Sequence, residues 1–440
     1  MNSFSQLDLF GGPRFLLDRE RAPTQRQESR SGTFTDNMRL PIHRWFRYSA
    51  GFSAEWVEQT IKDFPSSKPP VVLDPFAGSG TTLLAAEKAG AVVHGYESHP
   101  FVYRIAAAKL LWHLDEQRLL KDATLFLSRA KARKPRVPPQ LSDLLTKCFT
   151  PETIERLIAL RDCYVETRQD SAEWQLIWLA MTAILRSCSH VGTAQWQYVL
   201  PNKRKATFLD PFHAFEAKVS ELIADMDFAK RAGFRQTATM SLQDAREPAP
   251  IAAHSVDLVI TSPPYPNNYD YADATRLEMT FWGEVSSWGD LQHAVRRFII
   301  RSCSQHTAAE RANLAELLED VSLAPIRGEL ATVCGQLETI RMTKGGKKTY
   351  HTMVAAYFVD MAKILRQLRA ACKPGAQLCF VVGDSAPYGI YVPADVWLGR
   401  LAVAAGFETF SFEKVRDRNV KWKNRKHRVP LHEGRLWIKG

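Results

Sequence analysis

The chain has 440 residues, 45% hydrophobic and 24% charged, enough to bury a sizeable core and unlike a disordered, collagenous or coiled-coil protein. A formal net charge of +11 favours polyanionic partners, nucleic acid first among them. The seven cysteines contain no C-x-x-C pair, which fits free thiols in a reducing compartment rather than a disulfide framework or a structural zinc site. The longest nearly uncharged apolar run, Leu176 to Leu185, is short of the ~20 residues of a membrane-spanning helix. The acidic N-terminus also lacks the pattern of a secretory signal, so a soluble, cytoplasmic protein is expected.

In chain order, residues 1–36 mix Gly, Pro, Arg, Gln and Ser without a sustained period and read as a mobile arm outside the core. Residues 37–110 form the half of the sheet expected to hold a cofactor. Within it, Ser53 caps a helix, and VVLDPFAGSGTTLLAAEKAGAVVHGYESHP reads as strand, Gly-rich turn, helix ended by Gly90, and second strand. Residues 111–235 carry helical periodicity, broken by KPRVPPQ and LPNKRKATFLDPF, and form an insertion suited to target recognition. Strands return with QTATMSL and VDLVITSPPY in residues 236–283. Residues 284–349 make a second helical insertion. Residues 350–440 add the strand of KPGAQLCFVVGDS and an antiparallel pair, GFETFSFEKV and GRLWIK, around a basic hairpin. The fold expected is α/β, a mostly parallel Rossmann-like sheet with a terminal antiparallel hairpin and two helical insertions.

Ligands of open α/β sheets bind at the carboxyl ends of the strands, so four junctions carry the functional reading. In DPFAGSGTT, Gly78 and Gly80 let the backbone turn tightly and approach a ligand, and the following helix offers free N–H groups. No lysine follows the second glycine, so this is not a phosphate-gripping P-loop. Glu97 in GYES stands about 20 residues past the turn, the spacing at which an acid reaches ribose hydroxyls. Together they point to an adenosine-containing cofactor. Asp244 ends the third strand, where a carboxylate could accept from an adenine amino group or simply form a turn. In TSPPY, Pro263 and Pro264 fix the backbone and deny it amide donors. The carbonyls near Ser262 and Pro263 are thereby held as acceptors for a planar amine, beside Tyr265 as a stacking face.

With these motifs the chain resembles the S-adenosylmethionine-dependent DNA methyltransferases that act on exocyclic amino groups. DPFAGSG is similar to that family's cofactor motif, and Ser262-Pro263-Pro264-Tyr265 to its catalytic motif. The resemblance implies S-adenosylmethionine as cofactor, held by Asp74, Phe76, Gly78, Gly80, Thr81, Glu97 and Asp244, with Phe46 in PIHRWFRYSAGFS at the methionine end. It implies DNA as partner, and a cognate restriction endonuclease beside it. It extends over residues 38–105, 238–283 and 350–440, leaving the arm and the insertions uncovered.

An aromatic amine is a poor nucleophile because its lone pair is delocalised. Acceptors at Ser262 and the adjacent carbonyl favour a pyramidal nitrogen, and the target base must be flipped from the duplex to reach them. A C5-cytosine mechanism would need a cysteine after a proline, and no Pro-Cys occurs. Serine before Pro-Pro-Tyr resembles the N4-cytosine members more than the N6-adenine ones; adenine-N6 and tRNA bases stand as alternative substrates, and a non-enzymatic DNA-binding regulator as a weaker one. The stretch from Glu413 to Gly440 holds ten Lys/Arg against three Asp/Glu. Within it Lys421, Trp422, Lys423, Arg425, Lys426 and Arg428 combine charge with stacking faces, as a nucleic-acid contact requires.

Overall fold

The protein is described here from a computed structural model over residues 34–48, 51–134, 141–193, 198–346, 348–418 and 429–440. Most of the expected arm, and all six expected DNA contacts between Lys421 and Arg428, lie outside these residues.

In chain order the strands are β1 (Val71–Asp74), β2 (Val92–Glu97), β3 (Val191–Thr193), β4 (Val199–Arg204), β5 (Ala238–Leu242), β6 (Val256–Thr261), β7 (Cys372–Gly383), β8 (Thr409–Arg418) and β9 (Leu431–Lys439). All but β3 and β4 belong to one seven-stranded sheet, in the order β5-β2-β1-β6-β7-β9-β8. The first five of that order run parallel. β9 then runs antiparallel between β7 and β8, so the terminal pair closes the sheet by insertion rather than by simple addition at the edge. VVLD and VDLVIT are nearly continuous apolar runs because helices cover both faces of a parallel sheet. The order reverses between β1, which leads outward to β2 and β5, and β6, which leads the other way to β7. A crevice at such a reversal is where an open α/β sheet binds its ligand.

The helix Thr81–Ala89 packs directly on β2. Gly95 makes that approach feasible, because a Cβ there would stand 2.7 Å from Leu83 and 3.1 Å from Ala77. The helix ends as expected at Gly90, with φ 78°. Likewise, Ser53 caps the helix Ala54–Lys62 by accepting from the Trp56 N–H. The 22-residue helix Tyr350–Ala371 runs straight into β7 and contributes to the core beneath β6, β7 and β9.

The insertion after β2 is mainly helical, and its long helices Glu116–Ala132, Pro151–Thr167, Ala172–Cys188 and Pro211–Arg231 share one core. It also contains β3 and β4, an antiparallel pair within a stretch expected to be helical. Polar and basic residues in LPNKRK hide β4 from a reading based on apolar alternation. Near the N-terminus, a short 3₁₀ helix over Phe34–Arg39 takes in the last residues of the expected arm. Within it Asn37 is buried, donating to the Phe52 carbonyl and accepting from the Ala54 N–H. Among the described residues no helix is long and apolar enough to cross a membrane.

Candidate active site

Asp74 closes β1 and organises the strand ends beneath the Gly-rich turn. Its Oδ1 accepts from the Thr261 hydroxyl at 2.6 Å and from the Phe76 N–H at 3.0 Å, and its Oδ2 accepts from the Thr82 hydroxyl at 2.6 Å. Thus one carboxylate joins β1, β6 and the helix after the turn. Only 1% exposed, it lies under the crevice rather than on it. Burial pushes its pKa up to about 6 against these hydrogen bonds.

Glu97, at the end of β2, points back to the turn. Its Oε2 accepts from the Gly78 N–H at 2.9 Å and its Oε1 from the His99 N–H at 2.8 Å. Both turn glycines have positive φ, 53° at Gly78 and 89° at Gly80, which a side chain would strain. Gly80 and Thr81 open the helix Thr81–Ala89 at this spot. A carboxylate accepts about four hydrogen bonds, so these two from backbone leave Glu97 with acceptor capacity for a ligand's hydroxyls. Burial raises its pKa to about 7. Phe76, partly buried, packs at the edge of the core below β6 and β7.

Asp244 lies two residues past Leu242, the register partner of Glu97, and the Gln243 N–H donates to the Glu97 carbonyl. The two acids therefore sit at adjacent strand ends. Asp244 is gripped by Arg246 at 2.6 to 3.0 Å, and Arg246 reaches on to the buried Asp360. Sequence spacing shows Asp244 but not this clamp, whose Asp360 lies 114 residues beyond Arg246.

Phe46 is 6% exposed and packs in the helical core. The segment carrying it is held by two residues with no motif to mark them. Asp225, 1% exposed, accepts from the Ile42 N–H at 2.9 Å, the Trp45 indole at 3.0 Å and the Arg44 guanidinium at 2.5 Å. Lys109 donates to the carbonyls of His43 and Phe46, and burial lowers its pKa to about 7.

The Pro-Pro-Tyr loop follows β6. The Ser262 hydroxyl donates to the Val381 carbonyl of β7 at 3.2 Å, which spends its single proton and turns the lone pairs of Oγ into acceptors. Pro263 is buried, Pro264 partly so, and neither has an N–H to compete. The Arg418 guanidinium lies 5.1 Å from the centre of the Tyr265 ring and donates to the Asp384 carbonyl. Gly383 makes room for this stack, since a Cβ would stand 2.6 Å from Arg418 and 3.0 Å from Tyr265. Beyond the loop a cavity of about 690 Å³ is lined by Asn267, Asp384, Ser385, Tyr388, Arg418 and Leu431 among others. Ser385 fixes the loop by donating to the Pro266 carbonyl. The buried Asp384 in turn accepts from the His432 N–H, which ties the ends of β7 and β9 together.

The helix Tyr271–Ala274 after this loop is capped by Asp270, whose side chain accepts from the Ala272 N–H.

A sheet reversing between β1 and β6, with an acid of spare acceptor capacity at one strand end and a rigid acceptor loop at another, is the arrangement expected of an S-adenosylmethionine-dependent methyltransferase of amino groups. Residues 19–108 match the model of a DNA methylase family of the N6/N4 type. The Type II methyltransferase M.BsoBI of Geobacillus stearothermophilus is 24% identical over 426 residues, covering 88% of this chain and 82% of the relative. M.AvaI of Nostoc sp. is 24% identical over 413 residues, covering 85% and 81%. M.HindIII of Haemophilus influenzae is 48% identical over 48 residues, 11% of this chain and 16% of its own. The likeness to a solved rRNA methyltransferase, aviRa from Streptomyces viridochromogenes, is remote, with a TM-score of 0.28 at 10% identity over 91% of this chain and 85% of that one. These likenesses support a DNA amino-methyltransferase, an enzyme whose methyl donor is S-adenosylmethionine.

Proposed function

We propose that the protein methylates N4 of cytosine in duplex DNA, flipped into the cavity beside Tyr265. The observation that carries this reading is the Ser262 hydroxyl, which gives its proton to the Val381 carbonyl and so leaves Oγ as a neutral acceptor beside the Tyr265 hydroxyl. S-adenosylmethionine supplies an electrophilic methyl on its sulfonium. Ser262 Oγ and the neighbouring carbonyl accept the amine hydrogens and draw the nitrogen out of conjugation, while Tyr265 holds the base by stacking. The amine proton leaves to solvent after transfer. Nucleoside analysis of methylated duplex DNA is expected to yield N4-methylcytosine. N6-methyladenine as the product would replace the base assignment, and methyl uptake by tRNA rather than DNA would replace the substrate.

Glu97 is proposed to accept the ribose hydroxyls, and this has a pH signature. Its pKa is raised, so ionising it opposes folding; that penalty is absent below the ordinary carboxylate range, grows as pH rises toward about 7, and is constant above. Ribose hydroxyls donate to the ionised form, so cofactor affinity should rise with pH, by up to about tenfold per unit below pH 7, and then level off. Calorimetry across the range from mildly acidic to mildly alkaline pH checks this. A flat profile, or one falling with pH, would remove Glu97 from the ribose.

Arg418 and Leu431, on either side of the basic segment, both line the cavity, which supports a role in DNA contact for Lys421, Trp422, Lys423, Arg425, Lys426 and Arg428. Each phosphate contact contributes about 0.9 to the slope of log affinity against log salt. Replacing Lys421, Lys423 and Lys426 with Ala is expected to flatten that slope by about 2–3 units. An unchanged slope would assign the DNA groove elsewhere. Two of the relatives that extend over most of this chain are Type II methyltransferases, which supports a cognate restriction endonuclease as partner in the cell.

A further inference from the structure

A few residues past the Pro-Pro-Tyr loop, Asp270 meets Cys303 and His306; all three are buried and each places one donor atom within 4.8 Å of the others. They come from two segments of the chain. Asp270 caps the helix Tyr271–Ala274, whereas Cys303 precedes the helix Ser304–Ala309 and His306 lies within it, giving a Cys-x-x-His spacing. The His306 Nδ1 stands 3.1 Å from the Ile300 carbonyl. A carbonyl only accepts, so Nδ1 carries the ring proton and Nε2 is left as a lone pair. That Nε2 is buried and has no partner, in a residue with 0% exposure. A backbone carbonyl fixing one ring nitrogen so that the other can bind a cation is the usual setting of a metal-ligating histidine.

We infer that Asp270, Cys303 and His306 form a structural zinc site that fastens the loop after Pro-Pro-Tyr to the second helical insertion. Thiolate, imidazole and carboxylate are the ligand types that zinc, a borderline-soft cation, takes together. Ligand atoms of a tetrahedral zinc are about 3.3–3.8 Å apart, so a closure of roughly 1 Å brings these three side chains onto one cation and leaves its fourth position to a non-protein ligand. Arg296 grips Asp270 Oδ2 at 2.6 Å and 3.2 Å and shares its Nε–H with Oδ1, which also accepts from the Ala272 N–H, so Asp270 would have to loosen one of these bonds to give the metal a lone pair. On binding, the Cys303 Sγ–H bond breaks, the Sγ–Zn bond forms with the sulfur's electron pair, and the proton leaves to solvent. Burial, with the Asp270 carboxylate beside it, holds that thiol protonated, its pKa pushed up to about 12, and it donates to Gln305 Oε1, so it is the cation that would ionise it. The neighbouring geometry shows what the site would secure. Asn268 Oδ1 accepts from the Ser304 N–H at 2.8 Å and its hydroxyl at 2.6 Å, and the Asn268 N–H donates to the Ser302 carbonyl. The cation would add a further fastening on the same two segments.

The full-length protein, stripped with a chelator and titrated with Co²⁺, is expected to bind one equivalent and to show the near-ultraviolet band of thiolate-to-cobalt charge transfer. Cys303→Ser should abolish the band, and His306→Gln should weaken Zn²⁺ affinity at least tenfold. Cys163→Ser, where the hydroxyl can keep the thiol's contacts to Phe126 and Thr167, should leave both unchanged. Zn²⁺ should raise the melting temperature of the wild-type chain but not of Cys303→Ser. Absence of stoichiometric uptake by the wild-type protein, or survival of the band in Cys303→Ser, overturns the site. The wild-type titration decides the matter even if a variant fails to fold.

Discussion

Replacing Ser262 with Ala is expected to lower turnover by about 10²–10³-fold, the usual loss when one preorganised hydrogen-bonding group is removed from a reacting centre. Cofactor affinity should stay within about twofold, because Glu97 and the Gly78 turn stand at other strand ends and hold each other by their own hydrogen bond. The effect depends on the direction of one hydrogen bond. The Val381 carbonyl only accepts, so Ser262 gives up its hydrogen and presents lone pairs to the amine. Single-turnover methyl transfer with saturating cofactor measures the effect. A variant as fast as the wild type would leave the carbonyls of the proline loop to act alone, and a parallel collapse of cofactor binding would show damage to the sheet instead.

The second large effect is expected far from the chemistry. Asp225→Ala removes the acceptor of the Ile42 N–H and the Trp45 indole, both buried. Arg44 is about a third exposed at its side chain and falls back on water, so little of the cost is ionic. Two stranded buried donors cost about 1–3 kcal/mol each, and a loss of about 2–5 kcal/mol of stability should follow. Ile42 adds to it, since its φ of 65° is strained for a β-branched residue and is held there by this bond. Urea denaturation of the variant reads the loss directly. Because the resemblance places the segment around Phe46 at the methionine end of the cofactor, affinity for S-adenosylmethionine should fall together with stability. A shift below about 1 kcal/mol would mean that packing alone holds the segment.

The catalytic sheet is legible in sequence because its strands are short apolar runs that end in unusual residues. Gly78, Gly80 and Glu97 lie within one β-α-β unit, so a local pattern predicts their meeting, and the Gly78 N–H does meet the Glu97 carboxylate. Thr82 and Thr261, which complete the Asp74 hub, look like any helix or strand threonine until β1 and β6 are set side by side. Asp225, Arg246 and Asp384 act across separations that no periodicity encodes. β4 is hidden for a different reason. A two-stranded pair needs no apolar alternation where its residues face solvent, and Asn202, Lys203 and Arg204 are exposed.

The bond between Ile42 and Asp225 spans 183 residues of chain, and that separation governs the order in which the protein can be made. At ribosomal speeds of about 5–20 residues per second, roughly 10–40 s pass between synthesis of the clasped segment and synthesis of its acceptor. The β-α-β unit of β1 and β2 emerges early in that interval and can condense by local contacts, whereas the Ile42–Tyr48 segment waits with Trp45, Phe46 and Tyr48 unburied. A nascent chain that stops within the first insertion therefore displays an aromatic strip. Translational pausing before Asp225 would lengthen the interval in which that strip invites aggregation, and passage beyond the helix Pro211–Arg231 ends it.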